Sequence, residues 1–577
     1  MSRSAPALRP YLPDDAPLLA AIFAASIMDL TGDDYSEAQQ EAWAAAADDE
    51  AAFGKKLAGQ LTLIATLQGA PVGFASLKGA DHIDMLYVHP SAVGQGVGAA
   101  LCDALEKIAS ARGTKILKVD VSDTALEFFR KRGYVAQQRN SVTIGDEWLA
   151  NTTMQKTLDG VADDWPIDYD ALTPFFEEND RMMGVSGLSG DPLSPLSHPP
   201  MPPQPLGLSG PLLGKALNKL GWHWWPSDTT VATMDYEGRA RCINLGHCTP
   251  ACAQGAKAST DITYWPHAIR AGVELKTHCR VREILTNEQG MASGVVYYDK
   301  DGVEQFQPAE VVIIACNGVG TPRLLLNSVS GKFPNGLANS SGLVGKNLMF
   351  HPYAQVYGFV KEPTDSNRAP PTCLWSKEFY DTDLSRGFVR GYGIQFGRGA
   401  GPVFEAVASE QKGILPWGKD HHRVFRRLNG HRLAVSAICE DLPEEHNRVT
   451  LDPVLKDSHG IPAPKIDYTI SANSRKMMDH ALARGREVLD AAGATDICIN
   501  DPIPWGGWHL LGTARMGTDP ARSVVNEWGR SHDVKNLFIV DGSIFVTSGG
   551  VNPTSTIQAL ALYIADQMKQ RLANLFD

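Results

Sequence analysis

Two short apolar runs limit what this chain can fold into. Val311–Ala315 and Leu537–Val540 contain no polar residue. A strand with one wet face alternates apolar and polar side chains, and a strand buried on both faces, as in a parallel sheet, does not. Turn chemistry follows each run: Asn317-Gly318-Val319-Gly320 after the first and Asp541-Gly542 after the second. Thr321-Pro322 predicts a helix start, with a cap and a proline at the first helical position. Asn552-Pro553 predicts the start of the last helix, with Ile557, Leu560, Ala561 and Ile564 turned inward.

The rest of the chain is organised differently. At 577 residues it is too long for one domain. Residues 8–50 read as helical, with Leu18, Leu19, Ile22, Phe23, Ile27 and Met28 at helical spacing and a capping box from Ser36 to Gln39. Leu61–Leu67, Val72–Leu77, Ile83–Val88 and Ile116–Val121 read as strands. A helix from about Gly98 to Arg112 is closed by Gly113, Thr124–Arg132 forms another, and two strands fill 134–157. Pro192, Pro195, Pro199, Pro200, Pro202, Pro203, Pro205 and Pro211 then crowd an extended stretch that can be neither a central strand nor a long helix. From residue 221 onward strands alternate with helices. The net charge of −12 argues against a nucleic-acid binder. No apolar run is long enough to predict a membrane span, and the first residues show no secretory signal, so the expected location is the cytoplasm.

Gly94-Gln95-Gly96-Val97-Gly98 lies between a strand and a helix, where glycines and free helix N–H groups can cradle a phosphate. It lacks the Lys-Ser/Thr ending of a P-loop. It matches Gly-x-Gly-x-x-Ala with Asp120 further on, but His89–Val93 separate it from its strand, unlike a dinucleotide fingerprint. The third reading is a coenzyme A pyrophosphate loop. Leu86-Tyr87-Val88-His89-Pro90, the loop, and Phe128-Phe129-Arg130-Lys131-Arg132-Gly133-Tyr134 stand in an order that resembles the GNAT acyltransferase family over about 1–157. The resemblance implies that Leu86 and Val88 offer backbone groups to the pantetheine arm. It also implies that Gly94, Gly96 and Gly98 hold the pyrophosphate, with acetyl-CoA as cosubstrate and an amine as acceptor. Val93 stands where the family usually has Arg or Gln, and Phe129 stands where a catalytic tyrosine often does. Asp84 as base and Tyr134 as acid remain open, each beside a purely structural role.

Trp508-His509-Leu510-Leu511-Gly512-Thr513-Ala514-Arg515-Met516-Gly517, His532–Ser543 and Gly549–Ile557 together resemble the glucose–methanol–choline (GMC) flavoprotein oxidoreductases over about 159–577. Asp164-Trp165-Pro166, Gly255-Ala256-Lys257 and Thr263-Tyr264-Trp265-Pro266 agree with it. Alcohol oxidation needs a base for the hydroxyl proton, and an imidazole suits that task. The resemblance assigns His509 as the base and Asn552 as the group that bonds the substrate oxygen. It places Asp541 and Gly542 at the ribityl and phosphate region of FAD, and Asn552 and Pro553 at the flavin ring. The expected fold is α/β and α+β multidomain. A GNAT-like α+β domain (1–157) precedes a GMC-like region with the proline stretch and part of the FAD-domain sheet (159–330). A substrate domain with an antiparallel sheet (331–500) and a C-terminal catalytic segment (501–577) follow.

Cys242, Cys248 and Cys252 form the chain's cysteine cluster, and thiolates so spaced can hold an iron–sulfur cluster. The GMC resemblance agrees, since some dehydrogenases of that family carry such a cluster at this place and pass electrons to an acceptor protein. The family's opening strand, Gly-x-Gly-x-x-Gly and helix, which hold the ADP half of FAD, have no counterpart between 159 and 577. The chain alone is therefore expected to bind FAD weakly or not at all. Either the flavin site is lost, or the oxidoreductase part binds something else or borrows a partner. Alcohol or sugar oxidation is the leading activity, and an active acyltransferase on a degenerate GMC scaffold or binding surface is the alternative.

Overall fold

The computed structural model describes residues 6–571 except 113, 115, 159–161, 247, 249–251, 366–367, 369, 371, 399–400 and 503–506. Two compact units form, Met1–Val161 and Ala162–Asp577.

Unit 1 is a seven-stranded sheet ordered β1-β2-β3-β4-β5-β7-β6. Its strands are β1 Ala7–Pro10, β2 Leu61–Leu67, β3 Ala70–Lys78, β4 His82–Val88, β5 Ile116–Ser122, β6 Val135–Ile144 and β7 Glu147–Thr157. The expected helical start at residue 8 is corrected: Ala7–Pro10 pairs with β2 as an edge strand, where Pro10 costs no central ladder bond. Helices α1 (Ala16–Leu30), α2 (Glu37–Ala44) and α3 (Glu50–Ala58) follow it, and Ser36 and Gln39 cap α2 reciprocally as the sequence predicts. Helix α4 spans Val97–Ala111, and the predicted closing residue Gly113 lies outside the described residues. Every pairing is antiparallel except β4 with β5. That pairing joins only His82 to Lys118 and Ile83 to Val119, and beyond it the two strands part.

In unit 2, β8 (Trp225–Pro226), β13 (Tyr353–Phe359), β14 (Thr372–Ser376), β15 (Tyr392–Gly397), β16 (Arg432–Cys439) and β19 (Thr495–Asn500) form a sheet ordered β19-β13-β16-β15-β14-β8. All its pairings are antiparallel. Met477, Met478, Ala481, Val488 and Leu489, from the helix Ala472–Ala491, bury against it. Strands β9 (Arg280–Thr286), β10 (Ala292–Tyr298) and β11 (Glu304–Pro308) make a meander, and β17 (Arg448–Lys456) pairs with β18 (Pro462–Asp467). Both apolar runs form strands as predicted, and they pair with each other; the expected burial on both faces is corrected for Val312–Ile314, since Ile313 is 52% exposed. β12 (Val312–Ile314) pairs in parallel with β20 (Leu537–Ile539), in the register Val312 to Leu537 through Ile314 to Ile539. Buried Asn536 fixes that register, because its side chain donates to the carbonyls of Ala292 and Glu310 and accepts from Ala292 N–H.

The helix after β12 begins at Asn317, four residues before the expected Thr321. The Asn317 side chain accepts from Val319 and Gly320 N–H, so it caps the first turn itself. Pro322 is therefore inside the helix and cannot donate to the Gly318 carbonyl four residues back. The Thr513 hydroxyl takes that carbonyl instead, at 2.8 Å.

Unit 1 holds a buried ionic cluster. Glu106, on α4, accepts from Arg132, Lys156 and the Tyr134 hydroxyl. Removing one partner of such a set leaves buried charge uncompensated, at a cost of about 3–5 kcal/mol. Glu106→Ala is expected to lower the unfolding midpoint of the full chain in denaturant, and Glu106→Gln to lower it less. Equal midpoints for Glu106→Ala and the parent would refute this assignment.

Candidate functional site

In unit 1 the gap between β4 and β5 opens onto the glycine loop. His89 N–H bonds the Val72 carbonyl at 2.8 Å, and antiparallel pairing alternates from there. Tyr87 and Met85 therefore bond toward β3, and the amides of Leu86 and Val88 face the gap. Gly94 and Gly96 have φ of 75° and 78°, a region that favours glycine, and neither Cα faces a neighbouring atom. The first N–H groups of α4 have no intrahelical acceptor. A cavity of about 400 Å³ is lined by Leu86, Val88, Gly94, Gly96, Gly98 and Phe128.

Two side chains left open by the sequence resolve here. Tyr134 is buried, with its hydroxyl 3.2 Å from Glu106, and burial first and then the Glu106 charge push its pKa up. It is a structural tyrosine that does not line the cavity. Asp84 does line it. Burial opposes its ionisation, but bonds from Gln60 and Lys56 outweigh burial and hold its carboxyl below the usual range. That makes it a fixed anion and a poor base.

In unit 2 His509 and Asn552 come together, although 43 residues separate them. The His509 segment passes between two others. Leu511 exchanges both backbone bonds with Met349 at 3.0 Å. On the other side Gly512 N–H donates to Gly542, Ala514 to Ser543 and Met516 to Ile544. A Cβ at Gly318 would lie 2.6 Å from the Leu510 carbonyl, so only glycine allows the helix after β12 to come this close. Asp541 joins the ends of both parallel strands, since its carboxylate accepts from Cys316 N–H (2.8 Å), the Thr321 hydroxyl (2.5 Å) and Ser543 N–H (2.8 Å). Asn552 is corrected as a helix cap: Pro553 holds that position and the helix runs Thr554–Gln570. Asn552 lies outside it, and its Oδ1 accepts from Gln395 at 2.8 Å.

A hydrogen-bond chain sets the tautomers. A carbonyl only accepts, so His351 Nε2 carries the proton it donates to Gly549 O. His351 Nδ1 is then the acceptor in its 2.9 Å contact with His509 Nδ1, which must carry a proton. The lone pair of His509 falls on Nε2, facing Asn552 Nδ2 at 3.5 Å. Asn552 is oriented in turn: the Tyr353 hydroxyl donates to Gln395 Oε1, so Gln395 presents its NH₂ to Asn552 Oδ1. Burial lowers the pKa of His509 to about 4, and burial and then His509 lower that of His351 to about 3. Both rings are neutral at pH 7, and a neutral Nε2 can take a proton. His351, Gln395 and Tyr353 were not singled out from the sequence.

The expected iron–sulfur cluster at Cys242, Cys248 and Cys252 finds no support. Among the described residues no group of three or more His, Cys, Asp or Glu side chains could hold a metal ion. Cys242 Sγ accepts from Asn244 N–H at 3.3 Å. Burial opposes ionisation of Cys252, but the amides of Lys257, Gln254, Ala256 and Gly255 outweigh it and lower the thiol's pKa. Burial first, and then the charges of nearby Cys242 and Cys252, raise the pKa of Cys248, so the three thiols lie close to one another.

Comparison with known proteins follows this division. Residues 31–158 match the acetyltransferase (GNAT) domain model, and residues 203–353 and 443–561 match GMC oxidoreductase models. The chain belongs to the GMC oxidoreductase family, with a GNAT acetyltransferase domain joined to it. It is thus an oxidoreductase and an acyltransferase by family. It is 42% identical over 425 residues to the 2-methyl-1,2-propanediol dehydrogenase of Mycolicibacterium austroafricanum, covering 72% of this chain and 76% of that protein. It is 30% identical to the fructose dehydrogenase large subunit of Gluconobacter japonicus, covering 73% of this chain and 77% of that one. A GCN5-related N-acetyltransferase structure from Rhodopseudomonas palustris is 73% identical, covering 27% of this chain and 99% of that one, with a TM-score of 0.27. No described helix is long and apolar enough to cross a membrane.

GMC membership implies FAD. At the ring end the residues fit: Asn552 and His509 face each other, and the Ser543 hydroxyl beside Asp541 is buried without a partner. At the strand-to-helix turn after β12, Gly318 packs on Leu510, and Cys316, Asn317 and Gly320 line a cavity of about 690 Å³.

The histidine pair gives stability a definite pH dependence. Both folded-state pKa values lie below the unfolded 6.5, so the unfolded chain takes up protons first as pH falls. Stability is expected to drop from about pH 6.5 toward pH 4, by on the order of 2 kcal/mol. The double variant His351→Gln/His509→Gln is expected to flatten that slope. Urea titrations at stepped pH check this, and parallel slopes for parent and variant would refute it.

Proposed function

We propose that unit 2 oxidises a CH–OH group of an alcohol or sugar as a dehydrogenase, and that unit 1 transfers the acetyl group of acetyl-CoA to an amine. The observation that carries the first is the hydrogen-bond chain Gly549–His351–His509–Asn552. It leaves His509 Nε2 unprotonated opposite an amide donor. A hydroxyl placed between them donates its proton to Nε2 and accepts from Asn552 Nδ2. The proton then resides on His509, whose Nδ1–H still donates to His351. The relatives named for a diol and for fructose support polyhydroxy substrates. FAD is the electron acceptor the family implies, with Asp541 and Gly542 at its ribityl and phosphate region and Asn552 and Pro553 at its ring, and the proposal is confined to the proton. An acceptor other than oxygen, such as a redox protein, fits the dehydrogenase relatives.

For unit 1, the amides of Leu86 and Val88 facing the gap and the open Gly94–Gly98 turn support acetyl-CoA binding.

With FAD in large excess, the full chain is expected to reduce a dye in the presence of a 1,2-diol or hexose. His509→Ala is expected to lower that rate by about 10²–10⁴-fold. A rate unchanged in His509→Ala would remove the reading. Calorimetry with acetyl-CoA is expected to show binding by the full chain and none by Gly96→Glu, whose carboxylate would face the pyrophosphate. Equal binding by both would refute the loop assignment.

A further inference from the structure

On the large antiparallel sheet of unit 2, one cross-strand row is polar over four strands. Gln395 on β15 pairs with Ser436 on β16, Ser436 with Gln355 on β13, and Gln355 with Asn500 on β19. Partners in register share a face, so all four side chains stand on the face that meets Asn552 through Gln395. The opposite face, with Ala354, Val356, Ile394, Phe396, Val435 and Ala437, is buried in the apolar core. One row further out on the polar face, Tyr357 and Ala434 are sealed with Leu415, Leu428 and Phe425. Gln355, Gln395 and Asn500 are only half-buried. The bonds within the row leave part of its capacity unspent. Arginine only donates, so the Gln355 atom 3.4 Å from Arg432 is the oxygen, and the NH₂ faces Ser436 Oγ at 2.9 Å. That oxygen also accepts from Asn500 Nδ2 at 3.3 Å, which turns Asn500 Oδ1 away from Gln355. Gln395 spends one N–H on Asn552. A second N–H on Gln395, a second N–H on Gln355 and the oxygen of Asn500 lie beyond these bonds.

We infer that this row is a subsite for the hydroxyl groups of a neutral polyol or sugar other than the one oxidised, and that Gln355 is its specificity-determining residue. The inference rests on the oxidoreductase reading above, and three observations choose the ligand. The row offers donors and an acceptor together, and a hydroxyl can both accept and donate. None of its four side chains is charged, and the adjoining Arg432 is met by Glu405 at 3.5 Å, so neither a carboxylate nor an ammonium finds a counter-charge in it. Strands lie about 4.8 Å apart, so the row runs on from Gln395 to Asn500 for about 14 Å, more than a two- or three-carbon diol spans. On the other side of Gln395, Trp375 continues the row on β14, and its ring covers Gly393, where any Cβ would collide with it. That ring gives the carbon skeleton an apolar wall.

The test uses the full chain with FAD in excess and three probes of equal carbon number: a hexitol, 1,2-hexanediol, which lacks the outer hydroxyls, and the matching aldonate, which carries a carboxylate. In dye reduction, kcat/KM for the hexitol is expected to exceed that for 1,2-hexanediol by about tenfold or more, because a site built to bond hydroxyls rejects an analogue without them. Gln355→Met keeps the stem and removes the amide, and is expected to erase most of that ratio through KM rather than kcat. Asn500→Ala, on an edge strand, should act in the same direction with the unfolding midpoint of the parent, and it decides the matter if Gln355→Met unfolds. Saturation-transfer NMR gives a readout free of electron transfer: the hexitol should show contact with the parent and less with either variant. Contact that both variants weaken, without oxidation dependent on His509, supports the subsite and counts against the oxidoreductase reading. His509-dependent oxidation that favours 1,2-hexanediol or the aldonate overturns the subsite and leaves that reading standing. So does a hexitol preference indifferent to both variants. An absence of hexitol contact with the parent also overturns the subsite.

Discussion

The carboxylate of Asp541 holds the candidate oxidoreductase site together. It bonds the first residues after β12 and the first residues after β20 at once, so the two parallel strands end in a shared knot. The segment bearing His509 is threaded against that knot by Gly512, Ala514 and Met516. On its far side, pairing with Met349 brings His351 to His509. Without this junction the two imidazoles would belong to separate parts of unit 2, and neither ring would have a defined proton position.

Much of this could be read from the sequence because it depends on local pattern. The uninterrupted apolar runs gave away both strands of the parallel pair, and the capping box gave away α2. The GMC string pointed to His509 and Asn552 because a rare local combination carries them. Gln395 and Tyr353 had no such signal: each sits in a strand whose pattern reports only burial and alternation. His351 is 158 residues from His509 and becomes meaningful only once Leu511 and Met349 pair.

The misreadings also have physical causes. Pro322 looked like a helix start because proline is favoured at the first position, yet the chain supplied Asn317 as an earlier cap and Thr513 as a substitute donor. Pro10 sits on an edge strand that a helical pattern starting nearby concealed. Tyr134 follows a turn glycine, as an acid could, but its hydroxyl points inward to Glu106, and sequence alone does not say which way a tyrosine faces.

The hydrogen-bond chain through the two histidines ends on the peptide carbonyl of Gly549. Where a carboxylate orients a histidine, the orienting group can itself be protonated, and acid then scrambles the tautomer. A peptide oxygen has no such ionisation, so the direction of this chain is as permanent as the backbone. It also brings no negative charge to steady an imidazolium. The base is thus held in the right tautomer without being made stronger, which favours handing its proton onward over keeping it.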